Sequence, residues 1–247
     1  AEYCGFSQGM CYSFESPKVF DKLLLPADDE LRKTVTISNP LGEDFSVMRT
    51  ISLNGMLTSL APNYNRRNKD VKLYELGNIY LPKSVPVTEL PDERMQFTLG
   101  FYGEGDFFTM KGVIEEFLDC IGMKKLPEYD PKAGRSFLHP GRQANIVYEG
   151  TVIGYLGEVH PEVCDNYDLG TRAYVAVLDM PVIEGFTTFE RKYVGIAKFP
   201  AVKRDISMVV PKEILVGQIE AMIRQRGGKI LENLELFDVY EGDQIKE

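Results

Sequence analysis

The stretch HPGRQANIVYEGTVIGYLGEVHPEV, residues 139–163, decides the fold class. Residues 144–148 and 151–156 each read as a strand, and Glu149-Gly150 between them reads as a two-residue hairpin connection. An antiparallel pair is thereby placed near the middle of the chain. Towards the C-terminus, residues 173–178 (AYVAVL) are apolar at nearly every position, the pattern of a strand buried on both faces. Towards the N-terminus, Met110, Val113, Ile114, Phe117, Leu118 and Ile121 recur at helical spacing. The helix expected over 106–121 has Asp106 as its cap and Gly122 just past its end. Before it, Phe97, Leu99 and Phe101 alternate as a strand closed by Gly103-Glu104-Gly105. Residues 71–76 alternate as another strand ending at Gly77, with a Pro- and charge-rich connection over 82–94.

The remaining N-terminal signals are weaker. Residues 11–14 suit a short strand, Ser16-Pro17 the start of a helix or turn, and 39–42 (NPLG) a turn. A helix is expected over 48–60, although Gly55 weakens it. Residues 63–70 (NYNRRNKD) are polar and basic, an exposed loop or helix end. Residues 181–195 read as a bridge between domains. Beyond it come a strand over 205–210, a helix over 216–226 and a strand over 230–240, the β-α-β opening of a ferredoxin-like domain. The first residues read as a cut inside a longer protein, and the chain stops before the second half of that last domain.

Composition narrows the function classes. The 247 residues are 44% hydrophobic and 26% charged, ordinary for a globular protein with a real core. The formal net charge of −9 excludes a uniformly basic surface for nucleic acid. That charge is uneven: residues 198–247 hold eight Lys/Arg against nine Asp/Glu, net −1, leaving −8 for residues 1–197. No run of about 18 apolar residues suggests a membrane span and no export signal is visible, which points to the cytoplasm. The four cysteines, Cys4, Cys11, Cys120 and Cys164, form no C-x-x-C pair. With only His139 and His160 beside them they lack zinc-ligand spacing, so reduced, mostly buried thiols are expected and no metal ligand is assigned.

No catalytic residue emerges from the motifs. Gly100, Gly103 and Gly105 fit neither a dinucleotide fingerprint nor a P-loop, and suit a tight strand-to-helix turn. His139 and His160 each precede proline, have no legible nucleophile and carry no chemistry. Glu115-Glu116 is expected on a solvated helix face, and Glu158 buried and paired. Arg49 reads either as an anchor for a partner or ligand or as an ion pair near the surface with Asp44 or Glu43, and the ion pair is the expectation. In the C-terminal piece, Lys198, Lys203, Arg204, Arg224, Arg226 and Lys229 are interleaved with Phe199, Phe237 and Tyr240, the mixture that phosphates and unstacked bases demand. These six cations are the candidate RNA contacts. Phe237 is expected in the core, and Arg204 can instead pair with Asp205.

Four clusters together are specific: NPLGEDFSVMRT (39–50), YGEGDFFTMKGVIEEFL (102–118), the opening stretch (139–163), and KFPAVKRDISMVV (198–210) with LFDVYEG (236–242). In order and spacing the chain resembles the β subunit of bacterial phenylalanine–tRNA ligase over essentially its whole length. The resemblance implies an α+β fold: a class II aminoacyl-tRNA synthetase-like antiparallel sheet with flanking helices over 1–180, inactive. A linker follows over 181–197, then the first half of a ferredoxin-fold anticodon-binding domain over 198–247. In the related catalytic subunit one arginine follows a strand resembling residues 74–80, and here Leu81-Pro82 stands there. A second ends a strand resembling residues 173–180, and here Met180 stands there. Adenylate chemistry uses such fixed arginines to hold phosphate charge. The implied role is a non-catalytic part that packs on the catalytic α subunit of an α2β2 assembly and helps position tRNA(Phe). The implied parent complex uses ATP and Mg²⁺ to join phenylalanine to that tRNA; no cofactor, membrane or DNA is expected for this piece itself. An active class II adenylate-forming enzyme and a free-standing tRNA-binding module are the alternatives.

Overall fold

A computed structural model describes residues 1–193, 195–196 and 198–240. The chain divides into two compact units, Ala1–Arg191 and Lys192–Glu247.

In the first unit the elements run β1 (Ser7–Gln8), β2 (Phe14–Glu15), α1 (Val19–Lys22), β3 (Val47–Met48), α2 (Leu53–Asn65), β4 (Val71–Leu81) and β5 (Asp92–Tyr102). Then come α3 (Phe107–Cys120), β6 (Glu128–Asp130), β7 (Leu138–Tyr148), β8 (Thr151–Val159), α4 (Pro161–Asn166), β9 (Ala173–Asp179) and α5 (Met180–Glu184). Seven strands form one sheet in the order β1-β4-β5-β9-β8-β7-β6. Only the β1–β4 pair is parallel; the others are antiparallel. β2 and β3 make a separate small pair.

The central strand β9 is buried at its first six positions because helices cover both faces of the sheet. Val175 and Val177 join Tyr155, Leu53, Met56, Leu57 and Leu60 on the α2 face. Tyr174, Ala176 and Leu178 join Leu99, Phe101, Met110, Ile114 and Leu118 on the α3 face. Helix α2 lies close on β5: a Cβ added at Gly100 would stand 2.6 Å from Met56 Cγ.

The Glu149-Gly150 hairpin forms as expected, with φ of 49° and 80° at the two turn positions. Asp106 caps α3 through a reciprocal box, its carboxylate accepting from Thr109 N while Thr109 Oγ1 accepts from Asp106 N. Gly122 follows the helix end at φ 88°.

Several expectations need correction. β4 does not end at Gly77 but pairs with β5 from Val71↔Tyr102 to Leu81↔Asp92, so part of the supposed connection is strand. Long cross-strand pairing carries the backbone straight through a glycine that alternation alone marks as a stop. The helix expected over 48–60 starts at Leu53, because Val47 and Met48 pair with β2. The short strand is Phe14–Glu15 rather than 11–14. β7 begins at Leu138 and tolerates Pro140 only through a register shift between Leu138 and Gln143. Helix α5, Met180–Glu184, runs into the supposed bridge, so its first four residues, 181–184, are helical. Of the thiols only Cys164 is buried; Cys120 is exposed.

In the second unit, α6 (Val216–Gly227) stands where the helix is expected. The strands expected over 205–210 and 230–240 make no ladder among the described residues. A strand exists through its partner, and among the described residues the two runs share no backbone hydrogen bond. Ile206, Met208 and Val239 are exposed as a result, and Phe237, expected in a core, is 73% exposed.

Candidate functional site

The charged and hydroxyl side chains that a sheet-based site needs converge at the β4–β5 end of the α2 face. Alternation along the paired strands puts them there. Glu75 stands opposite Thr98, and Gly77 opposite Gln96. Across the next strand Thr98 faces Val177 and Gln96 faces Asp179. The turn entering α2 contributes Arg49 and Ser52 from above.

Arg49 is 2% exposed and Glu75 4%. The Arg49 guanidinium donates through Nη1 to both Glu75 carboxylate oxygens at 3.1 and 3.2 Å, and through Nε to the Asn78 carbonyl at 2.7 Å. Gly77 makes room for this, because a Cβ there would collide with Arg49 Nη2. Glu75 Oε1 also accepts from the Cys11 backbone N–H at 3.1 Å. The expected pairing of Arg49 with Asp44 or Glu43 is therefore wrong. The signal for the true partner was the odd alternation of β4, which puts a carboxylate at a buried position. Beside the pair, Ser52 Oγ lies 2.6 Å from both Gln96 Oε1 and Thr98 Oγ1. At the rim Arg94 bridges to Asp179 at 2.7 Å. Sequence reasoning missed Ser52, Gln96, Thr98, Arg94 and Asp179, because only strand register brings them together.

A second buried polar group lies deeper under α2. Glu15 accepts from Asn54 Nδ2 at 3.0 Å, and Tyr167 donates to Asn54 Oδ1 at 2.8 Å. Glu15 Oε1 is buried without a partner among the described residues. Burial pushes the Glu15 carboxyl up to about 7, against the opposing pull of the Asn54 hydrogen bond and the Arg49 charge. Burial likewise raises the nearby Cys11 thiol, so it is no activated nucleophile.

The α3 face offers a shallow depression of about 420 Å³ lined by Tyr74, Leu76, Phe97, Phe117 and Met180 together with residues 1–3. Glu2 is its carboxylate, accepting from the Tyr74 hydroxyl at 3.1 Å. Its lining contains no Lys, Arg or His side chain to offer a forked or point-charge phosphate contact.

Other expected residues fall into place. His139 Nδ1 accepts from Gly141 N, and His160 Nδ1 from Glu162 N as the cap of α4. Both are framework. Glu158 is buried and receives Arg142 Nη1 at 3.0 Å. Glu116 is exposed, but Glu115 is half-buried and pairs with Lys111 at 2.9 Å, contrary to a fully solvated face. Gly103 and Gly105, at φ 103° and 120°, make the tight turn into α3. In the second unit Lys198, Lys203, Arg204, Arg224, Arg226 and Lys229 are all exposed. Arg204 donates to the Lys203 carbonyl and, among the described residues, forms no ion pair with Asp205. Among the described residues no group of His, Cys, Asp and Glu is arranged to hold a metal ion. None of their helices is long and apolar enough to cross a membrane.

Known proteins supply the context for this arrangement. The chain is similar in fold to the crystal structure of pyrrolysyl-tRNA synthetase from Desulfitobacterium hafniense, with TM-score 0.60 and 12% identity over 75% of this chain and 66% of that one. Phenylalanine–tRNA ligase β subunits are similar in sequence. That of Clostridium acetobutylicum is 48% identical over 98% of this chain, and that of Clostridium tetani 44% over 98%. The Bacillus subtilis subunit is 34% identical over the whole chain. This chain spans about 30% of the length of each of these relatives. Residues 1–180 match the phenylalanyl tRNA synthetase beta chain CLM domain, and residues 197–247 the ferredoxin-fold anticodon binding domain. With both matches in sequence order, the chain belongs to the phenylalanyl-tRNA synthetase β-chain family.

Proposed function

We propose that this chain is the catalytically silent, class II synthetase-like portion of a phenylalanine–tRNA ligase β subunit. It packs on the catalytic α subunit of an α2β2 assembly and helps position tRNA(Phe). The assembly joins phenylalanine to tRNA(Phe) with ATP and Mg²⁺ in the cytoplasm. The domain frame is residues 1–180 for the synthetase-like part, 181–197 for the linker and 198–247 for the anticodon-binding part. Lys198, Lys203, Arg204, Arg224, Arg226 and Lys229 are the RNA contacts of that last part.

One observation carries the silent reading: the guanidinium on the polar face is spent on the chain's own carboxylate. Adenylate formation needs cations free to meet developing phosphate charge. Arg49 is buried against Glu75 and the Asn78 carbonyl. Leu81 and Met180 hold the positions where the related catalytic subunit has its arginines; Met180 packs with the apolar α3-face core. An active adenylate-forming enzyme is the rival, and it lacks a free arginine at either place.

Co-purification with a phenylalanine–tRNA ligase α subunit, followed by phenylalanine-dependent pyrophosphate exchange, tests the reading. Association without exchange by this chain alone is the expected outcome. Exchange by this chain alone overturns it.

A further inference from the structure

The loop that ends α2 is held rigidly yet leaves its cations unused. Arg66 N donates to the Pro62 carbonyl, Arg67 N to the Tyr64 carbonyl, and Asn68 N to the Asn63 carbonyl. Asn68 Nδ2 adds a bond to Asn63 Oδ1 at 2.9 Å, and Tyr102 Oη donates to the Asn68 carbonyl at 3.0 Å. Arg67 takes φ 63°, a left-handed turn residue at the helix exit. The backbone is thus fixed to both the helix and the sheet.

Arg66, Arg67 and Lys69 are exposed, and none of the three forms an ion pair among the described residues. By contrast, Arg32, Lys33, Arg49, Arg94, Lys111 and Arg142 of the same unit each meet a carboxylate. The nearest acidic group in sequence, Asp70, is engaged: its Oδ1 accepts from Glu104 N at 2.7 Å. Tyr64 Oη, at the same helix end, donates to the Gly170 carbonyl, two residues before the largely exposed Arg172.

Within an acidic chain, adjacent cations on a preorganised loop fit a polyanion. Two guanidiniums one residue apart present planar forks of donors that match phosphate oxygens. A loop that is already ordered loses little conformational freedom when it binds. We infer that residues 66–69 form a phosphate-backbone contact for RNA, separate from the anticodon-binding part, with Arg66 and Arg67 as forked donors and Lys69 as a point charge. The inference rests on the proposed tRNA-handling role and adds to it a surface on the synthetase-like part. Recognition here is of backbone, not sequence.

The test uses the full-length β subunit in complex with its α subunit, carrying R66A/R67A/K69A. Among the described residues these side chains form no ion pairs to lose, so an unchanged melting temperature is expected. Binding of tRNA(Phe) is measured from about 50 to 300 mM salt. The slope of log affinity against log salt falls by about two, at about 0.7–0.9 per phosphate contact. Affinity drops at least tenfold at the low-salt end. A K124A/K132A control at other exposed lysines leaves the slope unchanged. If the triple variant binds with unaltered slope and affinity, the loop contact is overturned while the proposed role stands. If the unaltered complex binds no tRNA, the proposed role fails and takes the contact with it. If the variant keeps tRNA but loses the α subunit, the loop is a protein contact and the RNA assignment is wrong.

Discussion

The two faces of one sheet are built by opposite rules. The α3 face is filled with Leu99, Phe101, Met110, Ile114, Leu118 and Leu178, and its stability is a matter of shape and apolar area. The α2 face has an equally apolar centre, but towards β4 and β5 it buries Arg49, Glu75, Ser52 and Thr98. Buried polar groups cost stability unless every one finds a partner, and here the ion pair and the hydroxyls are matched within the cluster. The difference shows how a sheet can keep polar groups inside at one end of a face that is otherwise apolar. Arg49, Glu75, Ser52 and Thr98 are each answered by another group of the same chain.

The largest effect should come from removing one side of that match. Arg49→Ala leaves Glu75 buried without its cation and should cost about 3–5 kcal/mol. Urea unfolding measures it. Arg49→Met combined with Glu75→Leu should recover most of the loss, since two apolar groups leave no orphan charge. If the double variant is as unstable as the single one, the pair stabilises more than its own charges and the contrast between the faces is deeper than stated.

The matching experiment on the other face is Leu118→Ala, 1% exposed in the α3 core. It should cost about 2–4 kcal/mol through lost burial and a cavity. Unlike the Arg49 effect, this loss should be nearly independent of pH and salt. A strong pH dependence would contradict the purely apolar account of that face.

The α2 face is imperfectly matched at two carboxylates, where Glu15 Oε1 and Asp179 Oδ1 are left alone among the described residues, and Glu15 is the more deeply buried. Its folded carboxyl titrates at about 7, above the 4.5 of an ordinary glutamate. The folded state therefore holds a proton that the unfolded chain has released between those values. The associated stability is full below about pH 4.5 and is lost as pH rises through about 7. The loss is on the order of 3 kcal/mol, since each pH unit separating the two titrations is worth about 1.36 kcal/mol. Glu15→Gln should remove this falling step from a plot of stability against pH from 4 to 8. A step of the same size in the Gln variant would assign it to another group.

How legible this contrast was in the sequence depends on what carried the signal. Local patterns were enough for α3, with its cap at Asp106, for the Glu149-Gly150 hairpin and for the buried run at 173–178. Each is decided by residues near one another in the chain. The polar face was not legible, because Arg49 meets Glu75 across 26 residues and Ser52 meets Thr98 across 46. Only the β4–β5 register makes those meetings happen. Glu43 and Asp44 were nearer in sequence and therefore the wrong partners to expect. In the second unit the helix at 216–226 was readable from its own residues. The flanking runs have strand-like patterns but no ladder among the described residues, since alternation describes a face and not the partner that completes it.

The smallest predicted effect tests the local side of this argument. Asp106→Ala removes the carboxylate that receives Thr109 N at 3.0 Å and opens the reciprocal box at the start of α3. An N-cap of this kind is worth about 1 kcal/mol. Asp106 and Thr109 are exposed or half-buried at the rim, so no cavity or orphan charge adds to the loss. Asp106→Ser should restore most of it, because a hydroxyl can accept the same N–H. A cost well above about 2 kcal/mol in thermal unfolding, the upper end for such caps, would mean that the helix start is coupled to the apolar face beneath it. Local capping and distant packing would then no longer be separable on the α3 side, as they already are not between Arg49 and Glu75 on the other.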